Sequence, residues 1–433
     1  MKNESNNIPE NWAPRFFTIW GGQAFSLFGS ALVQFALVWY LTRETGSATV
    51  LATATLVSLL PNIFLGPFIG ALVDRWNRRL IMIVADSSIA AATLGLVWLF
   101  AIGRVEVWHI YAIMTIRSLG GAFHHPAMTS STSLMVPKKH LARISGANQT
   151  LQGLINIFAP PLGALLIEAI STHNVLLIDV ATAALAVLPL LFISIPQPVR
   201  QPQPNGQTKK SSYWQDLGAG FTYVRKWHGL MGLIILAMAL NFMLSPASAL
   251  LPLVITKVFE KGALELGWVE SLFGAGVIIG GITLSVWGGF KRRIITSLVG
   301  ILGIGIGILL IGIVPTDLFS LVLVAMFLVG FAQVFANGPL GAIMQSTVAP
   351  EMQGRVFSLL GAGATAMMPL SLLISGPVSD YFGIRVWFIF GGVATILMTI
   401  AASFIPVIMN IESNHGQARQ EEPSSTDSAA LVE

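Results

Sequence analysis

The sequence predicts an all-α membrane protein of twelve transmembrane helices arranged as two six-helix repeats. Three observations predict it. First, 54% of the 433 residues are hydrophobic and only 10% are charged, against about 25% charged in an ordinary soluble domain. With a mean hydropathy of +0.74, the chain has more apolar surface than a soluble fold can hide, which excludes a soluble enzyme and a disordered chain. Second, the apolar residues run in stretches of the roughly 20 needed to cross a bilayer as helix, not in the short alternating segments of a barrel. Third, the two halves of the chain resemble each other.

Taken in order, Met1–Pro14 is polar and lacks an apolar core with a small-residue cleavage site, so no cleavable signal peptide is expected. Six spans follow at roughly 16–41, 48–72, 80–102, 108–134, 144–168 and 174–195, making residues 1–195 the first half. Residues 196–227 form a cytoplasmic connector. It begins as the proline-rich IPQPVRQPQPNGQTKKS. It ends in an amphipathic helix over Ser212–Lys226, with Trp214, Phe221 and Tyr223 beside Arg225 and Lys226, suited to the membrane surface. Six more spans, at roughly 229–254, 264–288, 294–314, 318–346, 354–379 and 385–409, make residues 228–410 the second half. The polar tail, 411–433, reads as disordered.

With both termini placed in the cytoplasm, 18 Lys and Arg fall inside and 5 outside, leaving Arg117 within span four. That bias supports the orientation and accounts for the net charge of +4 without a nucleic-acid partner. The repeat is visible in RSLGGAFHHPAMTSSTSLMVP (117–137), which aligns ungapped with GFAQVFANGPLGAIMQSTVAP (330–350). Pro126 meets Pro339, and Pro137 meets Pro350. Such repeats around a central connector suit a transporter.

Between spans two and three, GALVDRWNRR (70–79) is a tight charged turn. Gly70 allows close helix approach, Asp74 can cap or pair at a helix end, and Arg75, Arg78 and Arg79 can make or break pairs there. Asn77 is a residue that tolerates the left-handed region. Arg117 lies well inside its span, about nine residues from its start and further from its end, where an unpaired Arg costs at least about 2.5 kcal/mol, so it must face protein, water or an anion. Gly121 follows it by four residues, and span five carries Gly146, Pro160 and Gly163.

These motifs resemble those of the major facilitator superfamily. Gly70, Leu72, Asp74, Arg75, Arg78 and Arg79 match its loop two-three signature, Arg117 and Gly121 its span-four pattern, and Gly146, Pro160 and Gly163 a degenerate antiporter motif. The longer strings WGGQAFSLFGSALVQFAL, YLTRETGSATVLATATLVSLLP, RSLGGAFHHPA and GRVFSLLGA are similar to the macrolide-efflux branch of bacterial drug exporters. The resemblance implies the major facilitator fold, a conformational latch at loop two-three, a role for Arg117 in proton transfer, and drug:proton antiport in the bacterial inner membrane.

Within the spans, Asp86, Asp179 and Glu270 are carboxylates able to carry a proton. Asp86 is expected to pair with the loop arginines, and Asp179 to be structural. His124 and His125 point about 100° apart and cannot both line one wall, so no metal pair is expected. Gln23, Phe25, Gln34, Asn241, Phe242, Gln333 and Asn337 are candidates for a cavity holding a bulky amphipathic substrate. The chain has no cysteine, P-loop, HExxH or GxSxG motif, so no enzyme, cofactor or ATP chemistry is expected, with the proton as coupling ion. The expected protein is a monomer in the lipid bilayer, working by alternating access. The competing expectations are a proton-coupled importer of a small metabolite and a non-transporting receptor or structural protein.

Overall fold

The computed structural model describes residues 11–73, 75–197 and 213–412. The first half holds six long helices, α1 (Trp12–Thr45), α2 (Ala48–Val73), α3 (Arg78–Ala101), α4 (Val107–Met135), α5 (Leu141–Ala169) and α6 (Thr172–Phe192). The connector helix α7 (Tyr213–Lys226) follows. The second half holds six more long helices, α8 (His228–Leu253), α9 (Ala263–Trp287), α10 (Arg293–Ile313), α11 (Phe319–Thr347), α12 (Pro350–Phe382) and α13 (Arg385–Ser403). Eleven of the twelve long helices are apolar enough to cross a membrane. The twelfth, α4, is 29 residues long but carries Arg117, His124 and His125.

Several boundaries differ from expectation for local reasons. The last span ends at Ser403, and Pro406 starts a separate short turn because it cannot continue a helix. Helix α12 begins four residues early, with Pro350 in its first turn, where a missing N–H costs nothing. Helix α8 runs on into a π-helical turn, Val254–Val258. The aligned prolines Pro126 and Pro339 both lie inside 29-residue helices, α4 and α11.

The second half packs most tightly around α11, held between α9 and α10. A Cβ on Gly280 would lie 2.6 Å from the Phe331 carbonyl oxygen, so only glycine permits that approach. The connector helix α7 packs on α12 and α8 and buries Val224 with Leu230, Met344 and Val356. Most of the expected proline-rich connector and the expected tail beyond Glu412 lie outside the described residues.

The apolar cores are distributed unevenly between the two ends. One end bears Arg15, Arg75, Arg78, Arg79, Lys138, Lys139 and Lys291–Arg293 and is called the basic end. At the opposite, far end, first-half residues such as Leu37, Leu41, Leu51, Ile110 and Leu176 join one cluster with Leu250, Leu253 and Phe259 of the second half. At the basic end the halves keep separate clusters, one around Phe16, Ile69, Met82 and Ile144 and one around Leu230, Met344 and Val356. The halves are therefore joined at the far end and parted at the basic end.

Candidate functional site

Inside the first half, three helices stack two polar layers. Each contributes a pair seven residues apart, two turns along one face: Gln23 and Ser30 on α1, Asp86 and Thr93 on α3, His124 and Arg117 on α4. In the layer nearer the far end, Arg117 forms an ion pair with Asp179 of α6, their side chains 9% and 1% exposed. Asp179 also accepts from Ser30 Oγ (2.9 Å) and Thr93 Oγ1 (3.3 Å), and Arg117 Nη2 donates to the Ser30 carbonyl (3.1 Å). A charge pair in a bilayer is tolerable only with this many supporting bonds. In the second layer, Gln23 Nε2 donates to Asp86 Oδ2 (3.1 Å), and His124 Nε2 lies 2.8 Å from Gln23 Oε1 and 3.5 Å from Asp86 Oδ1.

This arrangement corrects two expectations. Asp86 pairs with Gln23 and His124, not with the loop arginines, because it lies two turns up α3 and faces α1 and α4. Arg79 instead donates through Nε to the Leu190 carbonyl and through Nη2 to the Leu191 carbonyl (2.7 Å), tying the loop to the end of α6. Gln23 is turned into the half, 2% exposed, and is not an open cavity residue. His124 is buried and its neighbour His125 exposed. The seven-residue recurrence of polar residues on α1, α3 and α4 was the signal that could have exposed both layers.

The second half carries the acid Glu270. It lies on α9, half-buried, and makes no side-chain hydrogen bond or ion pair among the described residues. The exposed Ile279 is nine residues on, half a turn around the helix, and the exposed Trp268 lies about 200° away. Glu270 thus faces away from the apolar, outward-facing stripe of α9. The other candidates are spread more widely. Gln34 is exposed, and Phe25, 60% exposed, lies nine residues away on the opposite face of α1, so the two cannot line one wall. Asn241 and Phe242 are half-buried on α8, Asn241 Nδ2 donating to the Ala237 carbonyl (2.9 Å). Gln333 and Asn337 are exposed on α11. Gly121 and Gly146 have open space beside them, whereas Gly163 packs on Phe35 of α1, and Pro160 abuts Gly267 of α9.

In the loop motif, Asp74 lies outside the described residues. Gly70 falls in the last turn of α2, Leu72 is half-buried, Arg75 is exposed and Arg78 buried. Asn77 is not left-handed: its φ of −69° and ψ of 112° are extended, and its side chain caps α3 by accepting from Leu80 N. An N-cap needs that conformation, which explains the residue better than left-handed tolerance does.

The far end carries a contact that the sequence did not disclose. Asp380, near the end of α12, accepts from Ala48 N (2.7 Å), Thr49 N (3.0 Å) and Ser47 Oγ (2.9 Å). A carboxylate of the second half thus caps the first turn of α2 in the first half. Nearby, Gly376 presses on Thr49: a Cβ there would lie 2.8 Å from the Thr49 Cα. Between α5 and α9, Ser271 Oγ donates to the Ile157 carbonyl, and a Cβ on Gly267 would lie 2.8 Å from Pro161 Cα. Towards the basic end this closeness is lost. Gly66, Gly146, Gly281, Gly354 and Gly361 have nothing beside them, and Asn148, Gln149, Gln152 and Asn156 of α5 are exposed. Amides have no place against lipid, so this face lines the space between the halves.

The family model described as Major Facilitator Superfamily matches residues 19–366 and 233–429. The chain belongs to the major facilitator superfamily. Among superfamily relatives, it is 34% identical over 405 residues to "Macrolide efflux protein A" of Streptococcus pyogenes, covering 93% of this chain and 98% of that protein. It is 33% identical to the protein of the same description in Enterococcus faecalis, covering 76% and 100%. It is 25% identical to "Multidrug efflux pump Tap" of Mycolicibacterium fortuitum, covering 89% and 94%. The fold matches a point mutant of the nucleoside transporter NupG with a TM-score of 0.71 at 14% identity, covering 90% and 98%. It also matches a bacterial homolog of the human lysosomal transporter Spinster, inward-facing and unoccupied, with a TM-score of 0.66 at 14% identity, covering 95% and 98%. This superfamily member is thus a multi-pass bacterial membrane protein of the macrolide-efflux branch.

Proposed function

We propose that the protein exports amphipathic drugs of the macrolide type by secondary transport, exchanging drug for protons through alternating access. The observation that carries this reading is the division of the core. The apolar cluster that joins the halves takes its first-half members from the far end, whereas the basic end of the first half keeps a cluster of its own. A machine with a single access path needs such a joint, opened at one end while sealed at the other. The relatives named for macrolide efflux supply the substrate class and direction.

With the basic end in the cytoplasm, as the 18 to 5 charge bias supports, the structure faces inward. Drug enters between the halves past the uncharged amides of α5 and the exposed Gln333 and Asn337 of α11. Glu270, unpaired and facing away from the outward stripe of α9, is the proton carrier of the second half. The loop two-three residues Gly70, Leu72, Asp74, Arg75, Arg78 and Arg79 act as the latch that engages when the basic end closes. Arg117 and Asp179 hold the first half in shape beside the path. The protein works as a monomer in the inner membrane, with both termini cytoplasmic and no bound cofactor.

The test is accumulation of a radiolabelled macrolide in sensitive bacteria expressing the chain, with and without a protonophore. Lower accumulation that the protonophore restores supports the reading. Unchanged accumulation, with the protein present in the membrane, overturns macrolide export.

A further inference from the structure

The second polar layer of the first half has a property that structural bracing does not need. Gln23, Asp86 and His124 come from three helices and are 2%, 6% and 8% exposed. The Gln23 amide bridges the other two, its nitrogen on Asp86 Oδ2 at 3.1 Å and its oxygen against His124 Nε2 at 2.8 Å. An amide oxygen only accepts, so in this arrangement His124 Nε2 carries a hydrogen. If the imidazole is neutral, Asp86 is a buried carboxylate with a single strong donor, which a bilayer interior penalises heavily. One added proton cancels that charge. It can rest on His124, beside Asp86 Oδ1 at 3.5 Å. With the Gln23 amide turned over, it can rest instead on Asp86, whose O–H then donates to Gln23 Oε1 while Gln23 Nε2 donates to the imidazole. Both arrangements satisfy the bridge, and they differ in which residue holds the proton and in which way the Gln23 amide is turned.

Among the described residues, no other charge is placed to supply that neutralisation. Helix α6 brings Asp179, already paired with Arg117 two turns away, and its His173 sits near the far end. Helix α2 brings no charged residue between 48 and 73. Helices α1 and α5 carry Arg15, Arg43 and Glu44, and Arg143 and Glu168, near their ends. On α3, Arg79 is bonded to the end of α6 and buried Arg78 lies two turns below Asp86. On α4, His109 caps the far end and His125 is exposed on the next position. Asp86 lies eight residues from the basic end of α3, about 12 Å of helix.

We propose that Gln23, Asp86 and His124 form a proton-binding site of the first half, loaded and emptied once in each transport cycle. The site changes between a net charge of −1 and 0. The proton comes from water and returns to water, and no other bond is made or broken. Helices α1 and α4 both enter the shared far-end core, through Leu37 and Leu41 and through Ile110 and Met114. Rearrangement of that joint therefore reaches the spacing of Gln23 and His124. This assignment rests on the antiport reading and adds a site to it, separate from Glu270.

The test uses the full chain purified in detergent. A macrolide is added to unbuffered protein with a pH indicator, and the affinity for the same radiolabelled macrolide is measured across pH. Wild type is expected to release protons on drug binding, and Asp86→Asn and His124→Gln each to lower that release and flatten the pH profile. The double variant Asp86→Asn/His124→Gln leaves three amides that can bond one another and no buried charge, so it guards against misfolding. It is expected to bind drug with the pH dependence of the single variants. Wild-type proton release and pH profile in the double variant, with their loss in Glu270→Gln, would overturn this site and leave antiport standing. A wild type that binds drug without releasing protons at any pH overturns both.

Discussion

Removing the Asp380 carboxylate should open the far end. Its three acceptor contacts, at 2.7, 2.9 and 3.0 Å, join the second half to the first turn of α2. A hydrogen bond to a charged group contributes about 1.5–3 kcal/mol net, but Asp380 is exposed and opening returns all partners to water. The closing contribution is therefore nearer that of one helix cap, about 1–2 kcal/mol. That shifts the balance between closed and open far ends by about 5- to 30-fold. The assay exploits the absence of cysteine from the chain. Ala52, 2% exposed, sits in the far-end seam with Ala249 and Leu372. Ala52→Cys is labelled in intact cells with a membrane-impermeant thiol reagent, with and without Asp380→Ala. The added substitution should speed labelling about 5- to 30-fold. A rate within twofold of the Ala52→Cys parent would refute the claim that Asp380 holds the halves together.

Three further outcomes are expected. Gly376→Ala places a methyl 2.8 Å from the Thr49 Cα, which backbone cannot yield cheaply. It should cost the closed far end about 1–3 kcal/mol and raise Ala52→Cys labelling without loss of protein from the membrane. Arg117→Gln or Asp179→Asn alone strands a buried charge, typically worth about 3–5 kcal/mol. The double variant should melt closer to wild type than either single one in detergent unfolding, and equal losses from all three would exclude the ion pair as a unit. Glu270→Gln should leave macrolide binding in place while lowering the number of protons moved per drug in proteoliposomes, and an unchanged number would remove Glu270 from the coupling scheme.

The fold was legible because transmembrane helices are written in composition and length, and both were strong here. The helix that strays furthest from that pattern, α4, still reads as a span at 108–134 from its apolar run, and the alignment of Pro126 and Pro137 with Pro339 and Pro350 serves only to show the repeat. The site was less legible. Burial and partner choice depend on which face each helix turns inward, and single positions do not carry that. Arg117 announced itself by its cost in lipid, but its partner Asp179 is 62 residues away on α6. Gln23 looked like a cavity residue because a polar side chain on an apolar helix fits a water path and a buried network equally well. Asp380 gave no signal at all, since a carboxylate near a helix end reads as ordinary surface until the neighbouring α2 terminus is seen beside it.

The ion pair between α4 and α6 also has a consequence for biosynthesis. Alone, α4 is the long helix least able to enter lipid, since its central Arg117 disfavours insertion by about 2.5–3.5 kcal/mol. The acceptor that neutralises it, Asp179, is made only after α5 and the start of α6 have been synthesised. While the nascent chain lengthens over those residues, α4 must wait at the translocon or at the bilayer surface. Helix α4 is then expected to enter the membrane together with α5 and α6, whereas α1, α2 and α3 are apolar enough to insert before them. A ribosome stalled before Asp179 would hold an α4 still reachable from water, and one stalled beyond α6 would not.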